Sequence, residues 1–149
     1  MSEPASTFIY VTYIRSTPEA LWAALTDPAT MKTYWLGAHA ECDFKPGSPW
    51  RLVLADGRLA DMGEIVEAEP GKRLVIKWLH QLMPELTEEG WSQCTMDIEP
   101  SKGAMKLTVT HTIDRSPSKL IGAVSGGWPQ ILSNLKSLLE TGQIATVAA

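Results

Sequence analysis

The sequence has no basic excess: 13 Lys and Arg stand against 17 Asp and Glu, a net charge of -4, with a pI near 5.3. Nothing is free to neutralise a run of phosphates, so neither nucleic acid nor an anionic membrane surface is expected as a partner. No window approaches the ~20 apolar residues that a membrane helix needs, which excludes membrane insertion by that route. The opening Met1-Ser2-Glu3-Pro4 has neither the basic start nor the apolar run of a secretion signal. Cysteine is scarce. Cys42 and Cys94 lie far apart and are expected reduced, in a cytoplasmic protein. No repeat, low-complexity block or linker divides the 149 residues, so a single domain over 1–149 is expected.

Chemical signatures are equally sparse. The chain has no Ser-His-Asp order, Walker loop, dinucleotide loop or paired-carboxylate constellation. Its three histidines, His39, His80 and His111, show no metal-ligand spacing with another His, Cys or acid. No metal and no other cofactor is expected. Neither cysteine has an adjacent base or positive field, so both read as inert.

What is present is enough apolar material for a real core: 44% hydrophobic residues and six tryptophans. A chain of this size buries about 70% of its unfolded surface. Residues 8–15 are β-branched and aromatic and predict a strand. Pro18 in a first turn, after Ser16 or Thr17 as cap, predicts a helix with Leu21, Trp22 and Leu25 buried. Asp27-Pro28 stops it and starts a second over 29–34. Strands follow over 38–44, 50–54, 61–69, 73–80, 92–99 and 105–113, broken by Pro46-Gly47, Asp56-Gly57, Pro70-Gly71 and Lys102-Gly103. Gly63 hides the phase of its strand by suggesting a bulge. The last strand alternates best, with Met105, Leu107, Val109, His111 and Ile113 inward.

The final element is a helix capped by Ser116-Pro117-Ser118, with Trp128, Leu132, Leu135 and Leu139 on one stripe and Gly142 as its stop. Pro129 inside it predicts a kink or restart. Residues 143–149 read as a frayed tail. One strand, two short helices, six strands and a long helix is an α+β arrangement. It corresponds to the helix-grip fold, a curved antiparallel sheet of about seven strands around a long C-terminal helix.

The stretch Thr17-Pro18-Glu19-Ala20-Leu21-Trp22-Ala23-Ala24-Leu25-Thr26-Asp27-Pro28 resembles the opening motif of the activator of heat-shock-ATPase homologues, a branch of the SRPBCC (START-like) superfamily. So do residues 35–37, the Pro46-Gly47 turn, and Gly63-Glu64-Ile65 leading to Pro70 and Trp78. Gly127-Trp128 followed by Leu132, Leu135, Leu139-Glu140 and Gly142 matches as well. The resemblance covers nearly the whole chain and implies the helix-grip fold. It leaves function open, because the superfamily includes lipid carriers, hormone receptors, plant allergens, polyketide cyclases, self-resistance proteins and co-chaperone domains. Two departures are visible. Gly47-Ser48 replaces a common Gly-Gly, and Thr12 stands where arginine is frequent, so no role needing that arginine carries over.

A curved sheet gripping one helix can enclose a cavity, the usual site for a small hydrophobic or amphipathic ligand. The candidate lining is Tyr10, Thr12, Trp50, Leu52, Trp78, His80, Cys94, Met96, His111 and Trp128. The competing reading is a solid core. Buried on its strand, His111 is either a hydrogen-bonding or proton-carrying group for a ligand or a core histidine satisfied by its neighbours. The leading function is non-covalent ligand binding. The alternatives are a polyketide-cyclase-like enzyme using His111 and Tyr10, and a chaperone-interacting module like the ATPase activators. The first strand is apolar on both faces, with Ile9, Val11 and Tyr13 outward, and Trp91 is expected to be exposed. These residues predict a homodimer, unless a short helix or the 81–90 connection covers them.

Overall fold

The computed structural model describes residues 5–146. Strand β1 (Ser6–Ile14) leads into two capped helices. Thr17 accepts the Ala20 amide at 3.1 Å and opens α1 (Pro18–Thr26); Asp27 accepts the Thr30 amide at 3.1 Å and opens α2 (Pro28–Tyr34). Proline at the first position of each helix gives up no bond, because that amide has no partner there.

Strands β2 (His39–Glu41), β3 (Pro49–Val53), β4 (Leu59–Glu69) and β5 (Arg73–His80) follow as a meander. A short helix α3 (Pro84–Thr87), strands β6 (Ser92–Ser101) and β7 (Ala104–Ile113), and helix α4 (Lys119–Thr141) complete the chain. All seven strands form one antiparallel sheet in the order β1-β7-β6-β5-β4-β3-β2. The expected fold class is therefore the observed one. The sheet's inner face and α4 share the core: Leu107, Val109, Leu132 and Leu135 are fully buried, Trp128 nearly so, and Leu139 packs on the edge.

Three details differ from the sequence reading. The strand expected over 38–44 shrinks to β2, because Phe44 takes φ 53°, which no strand residue does. The irregularities in β4 are not at Gly63: against β3 the register slips at Ala60, and against β5 between Ile65 and Glu67, leaving Val66 unpaired and half exposed. Helix α4 does not restart at Pro129 but continues through it. It stops at Gly142, whose φ of 82° suits glycine and whose amide donates to the Leu138 carbonyl at 2.8 Å.

Of the tail expected to fray, residues 147–149 lie outside the described residues. Thr146 donates from its amide and its hydroxyl to buried Asn134 Oδ1, at 2.8 and 3.1 Å.

Among the described residues nothing covers the outer side of β1. Ile9, Val11 and Tyr13 are 60%, 44% and 50% exposed, and Trp91 is 44% exposed. The β1 edge backbone is partly capped: Lys136 Nζ donates to the Tyr13 carbonyl, and the Arg15 amide donates to Glu140 at 2.8 Å.

Candidate functional site

Two neighbouring rows of the sheet build the site. Leu52, Asp61 and His80 are register partners across β3, β4 and β5; Trp50, Gly63 and Trp78 form the next row. A Cβ at position 63 would lie 1.8 Å from the Lys77 carbonyl oxygen, so only glycine fits there. With no side chain between them, the Trp50 and Trp78 rings meet across Gly63, centroids 4.4 Å apart.

Helix α4 forms the facing wall. Leu120, Val124, Trp128 and Ile131 recur every three or four residues, which places them on one face. On the same face the side chains shrink to Ala123 and Gly127. A Cβ added at Gly127 would meet nothing within 4 Å. The space left is a cavity of about 190 Å³ between sheet and helix, with Trp35 and Leu86 completing the wall. Dry apolar cavities of roughly 150 Å³ hold benzene, so a single ring fits here.

The wall carries one polar cluster. Buried Asp61 accepts the Trp78 indole N–H and His80 Nδ1–H on the same Oδ1, each at 2.8 Å. The carboxylate fixes the His80 proton on Nδ1. His80 Nε2 is buried and has no partner.

A second network lies behind the cavity. Trp128 donates its indole N–H to His111 Nδ1 at 3.2 Å. An indole only donates, so the His111 proton sits on Nε2, which donates to Ser92 Oγ at 2.8 Å; Ser92 then donates to the Trp78 carbonyl at 3.3 Å. Burial lowers the His111 pKa to about 4, which keeps the ring neutral. Its ring centroid lies 5.0 Å from that of Trp78. His111 thus braces two tryptophans that line the cavity.

The loop bearing α3 is tied to the start of α4. Glu89 accepts Ser118 Oγ–H and the Lys119 amide at 2.6 and 2.7 Å. Burial works against the Glu89 charge, but these bonds outweigh it and hold the carboxyl below its ordinary range. Leu86 is thereby held over the same cavity as Leu120.

Of the candidate lining residues, Leu52, Trp78, His80 and Trp128 line this cavity. Trp50, Cys94, Met96 and His111 are fully buried in the packed core behind it. Tyr10 and Thr12 face a separate open groove between β1 and the C-terminal half of α4, beside Ser133, Lys136 and Glu140. Sequence reasoning missed Trp35, Asp61, Leu86 and the Ala123–Gly127 gap. Burial raises the Cys94 thiol pKa and keeps it protonated; both cysteines are free. Among the described residues no three His, Cys, Asp or Glu side chains gather as a metal would require, and no helix is long and apolar enough to cross a membrane.

Residues 15–140 match the family described as "Activator of Hsp90 ATPase homolog 1-like protein". No curated protein matches the chain. Solved structures with the same fold include protein MLL2253 from Mesorhizobium loti, 26% identical with a TM-score of 0.77 over 90% of this chain and 96% of that one. An HSP90 activator from Plasmodium falciparum is 24% identical, with a TM-score of 0.71 over 89% of this chain and 95% of that one. The Aha1 dimer from Colwellia psychrerythraea is 17% identical, with a TM-score of 0.75 over 92% and 98%.

Proposed function

The chain belongs to the activator of Hsp90 ATPase homolog 1-like family, and we propose that it binds a small apolar or amphipathic molecule between the sheet and α4. The observation that carries this is the step from large to small side chains at Ala123 and Gly127. Ala123 is exposed and Gly127 partly so, and the gap therefore opens the helix wall beside Val124 and Trp128 toward solvent, giving a ligand a way in. Three tryptophans, Trp35, Trp78 and Trp128, give a ring-shaped ligand flat apolar partners. A cytoplasmic location, with both thiols free, fits the same reading.

The test is toluene binding by titration calorimetry, with Gly127→Leu as the blocked variant. Wild type is expected to bind and Gly127→Leu to lose the signal. At a toluene concentration near 100 Kd the folded state gains about 2.7 kcal/mol, which a melting curve reads independently. A wild type that takes up no toluene sinks the reading.

The enzyme alternative placed Tyr10 and His111 in one pocket. The two residues face different spaces, and His111 already has both nitrogens engaged. The interaction-module alternative is favoured by a separate observation, the uncovered outer side of β1. The partner we propose for it is a second copy of the chain, in line with the dimer described for the Colwellia protein. A chaperone partner rests on the family description alone.

A further inference from the structure

We infer that Asp61 and His80 form a recognition dyad for a neutral hydroxyl, so that the cavity selects single-ring phenols over plain arenes and over carboxylates. This rests on the cavity reading above and adds the chemistry of the ligand's head.

The dyad is an acceptor built into an otherwise apolar wall. Asp61 Oδ1 takes the Trp78 and His80 N–H groups at 2.8 Å, and an imidazole whose one proton is held on Nδ1 offers a lone pair at Nε2. That nitrogen is buried without a partner, and His80 is part of the cavity wall. An unpaired buried polar atom is costly, and a ligand O–H removes the cost by donating to it. Nε2 is shielded from water, so a neighbouring side chain gives way as the hydroxyl arrives and the new bond forms in dry surroundings, where it is strongest. An apolar ring fills the cavity and leaves Nε2 unpaired. A carboxylate head brings a second negative charge beside buried Asp61 and has no proton to give.

Three probes with one methyl-ring body separate these cases: toluene, p-cresol and 4-methylbenzoate, titrated against the full chain by calorimetry. p-Cresol is expected to bind at least 10-fold more tightly than either of the others. His80→Phe should bring p-cresol to within 3-fold of the toluene affinity measured on the same variant. Because that variant can repack, nitrogen NMR of wild type provides a second reading: the His80 Nε2 resonance should move with p-cresol and stay in place with toluene.

Toluene binding with no p-cresol preference, or a preference that survives His80→Phe, overturns the dyad and leaves the cavity standing. A preference for 4-methylbenzoate means a cationic His80 and also overturns it. No binding of any probe overturns both readings.

Discussion

His111 has a donor on one ring nitrogen and an acceptor on the other, so its neutral form suits the site and its charged form does not. In the unfolded chain an imidazole titrates near 6.5, whereas burial in the fold holds it down to about 4. Between those values the unfolded state binds the proton first. Stability is therefore full above about pH 6.5 and falls as pH drops toward 4, by on the order of 3 kcal/mol in all. Urea denaturation at pH 7 and pH 4.5 should show that loss, and His111→Phe should flatten it. An unchanged difference in the variant would put the acid sensitivity elsewhere. Gly63 bears the other sharp expectation at this scale. Gly63→Ala drives a methyl into the Lys77 carbonyl, so β4 and β5 must part locally, at a cost of about 3 kcal/mol or more. A urea midpoint implying less than about 1 kcal/mol would mean the strands adjust freely. The inward direction of His111 was legible from clean alternation along 105–113. Asp61 was not, because Gly63 suggested a bulge, whereas the register slips at Ala60, directly before Asp61, and at Val66. The Asp56-Gly57 turn alone would set Ala60 opposite inward-facing Leu52; a slip at Ala60 brings Asp61 there instead, and no local pattern announces it.

Helix α4 carries both the core and the gap in it. Trp128 touches Trp35, Trp78 and His111, with ring centroids 5.2 to 6.3 Å away, and is almost wholly buried. Trp128→Ala should cost about 3–5 kcal/mol, read by chemical denaturation. A loss below about 0.5 kcal/mol would be that of a surface residue. Gly126 points the other way. It is exposed, has helical neighbours on both sides, and a Cβ there meets nothing. Gly126→Ala should stabilise by about 1 kcal/mol, since glycine costs that much in a helix interior. A lower melting temperature would show that this glycine serves the fold. Pro129 leaves the Ser125 carbonyl without its helical amide, on a partly exposed part of the helix. The α4 stripe was readable as a row of large residues. The gap was missed because a search for apolar side chains passes over the positions where they are absent.

At the scale of the molecule, the succession of elements along the chain followed from turns and alternation, and the cover on the outer face did not. Whether loops fold back over a strand depends on long-range geometry that local pattern does not encode. Here α3 turns inward to the cavity, and none of the described residues covers the outer side of β1. Trp91 does not enlarge that bare patch, because β7 lies between β1 and β6 and Lys77 sits 4.9 Å over the Trp91 ring. Sedimentation at high micromolar concentration should give a dimer for wild type and a monomer for Val11→Lys. A monomeric wild type removes the proposal, and a dimeric variant moves the interface elsewhere. Since Lys136 and Glu140 occupy part of the β1 edge, contact through side chains of the face is expected there rather than an extended strand ladder. The α4 gap also bears on how this protein can change over generations. Enlarging a binding pocket ordinarily weakens a protein, and function competes with stability. Here the pocket is set by two small helix residues, Ala123 and Gly127, and nothing packs against the place of a Cβ at Gly127. At Gly127 a larger side chain strengthens the helix while shrinking the space, so selection for robustness and selection for a smaller ligand pull together. Selection for a larger ligand has little left to remove, and must act on the tryptophans instead.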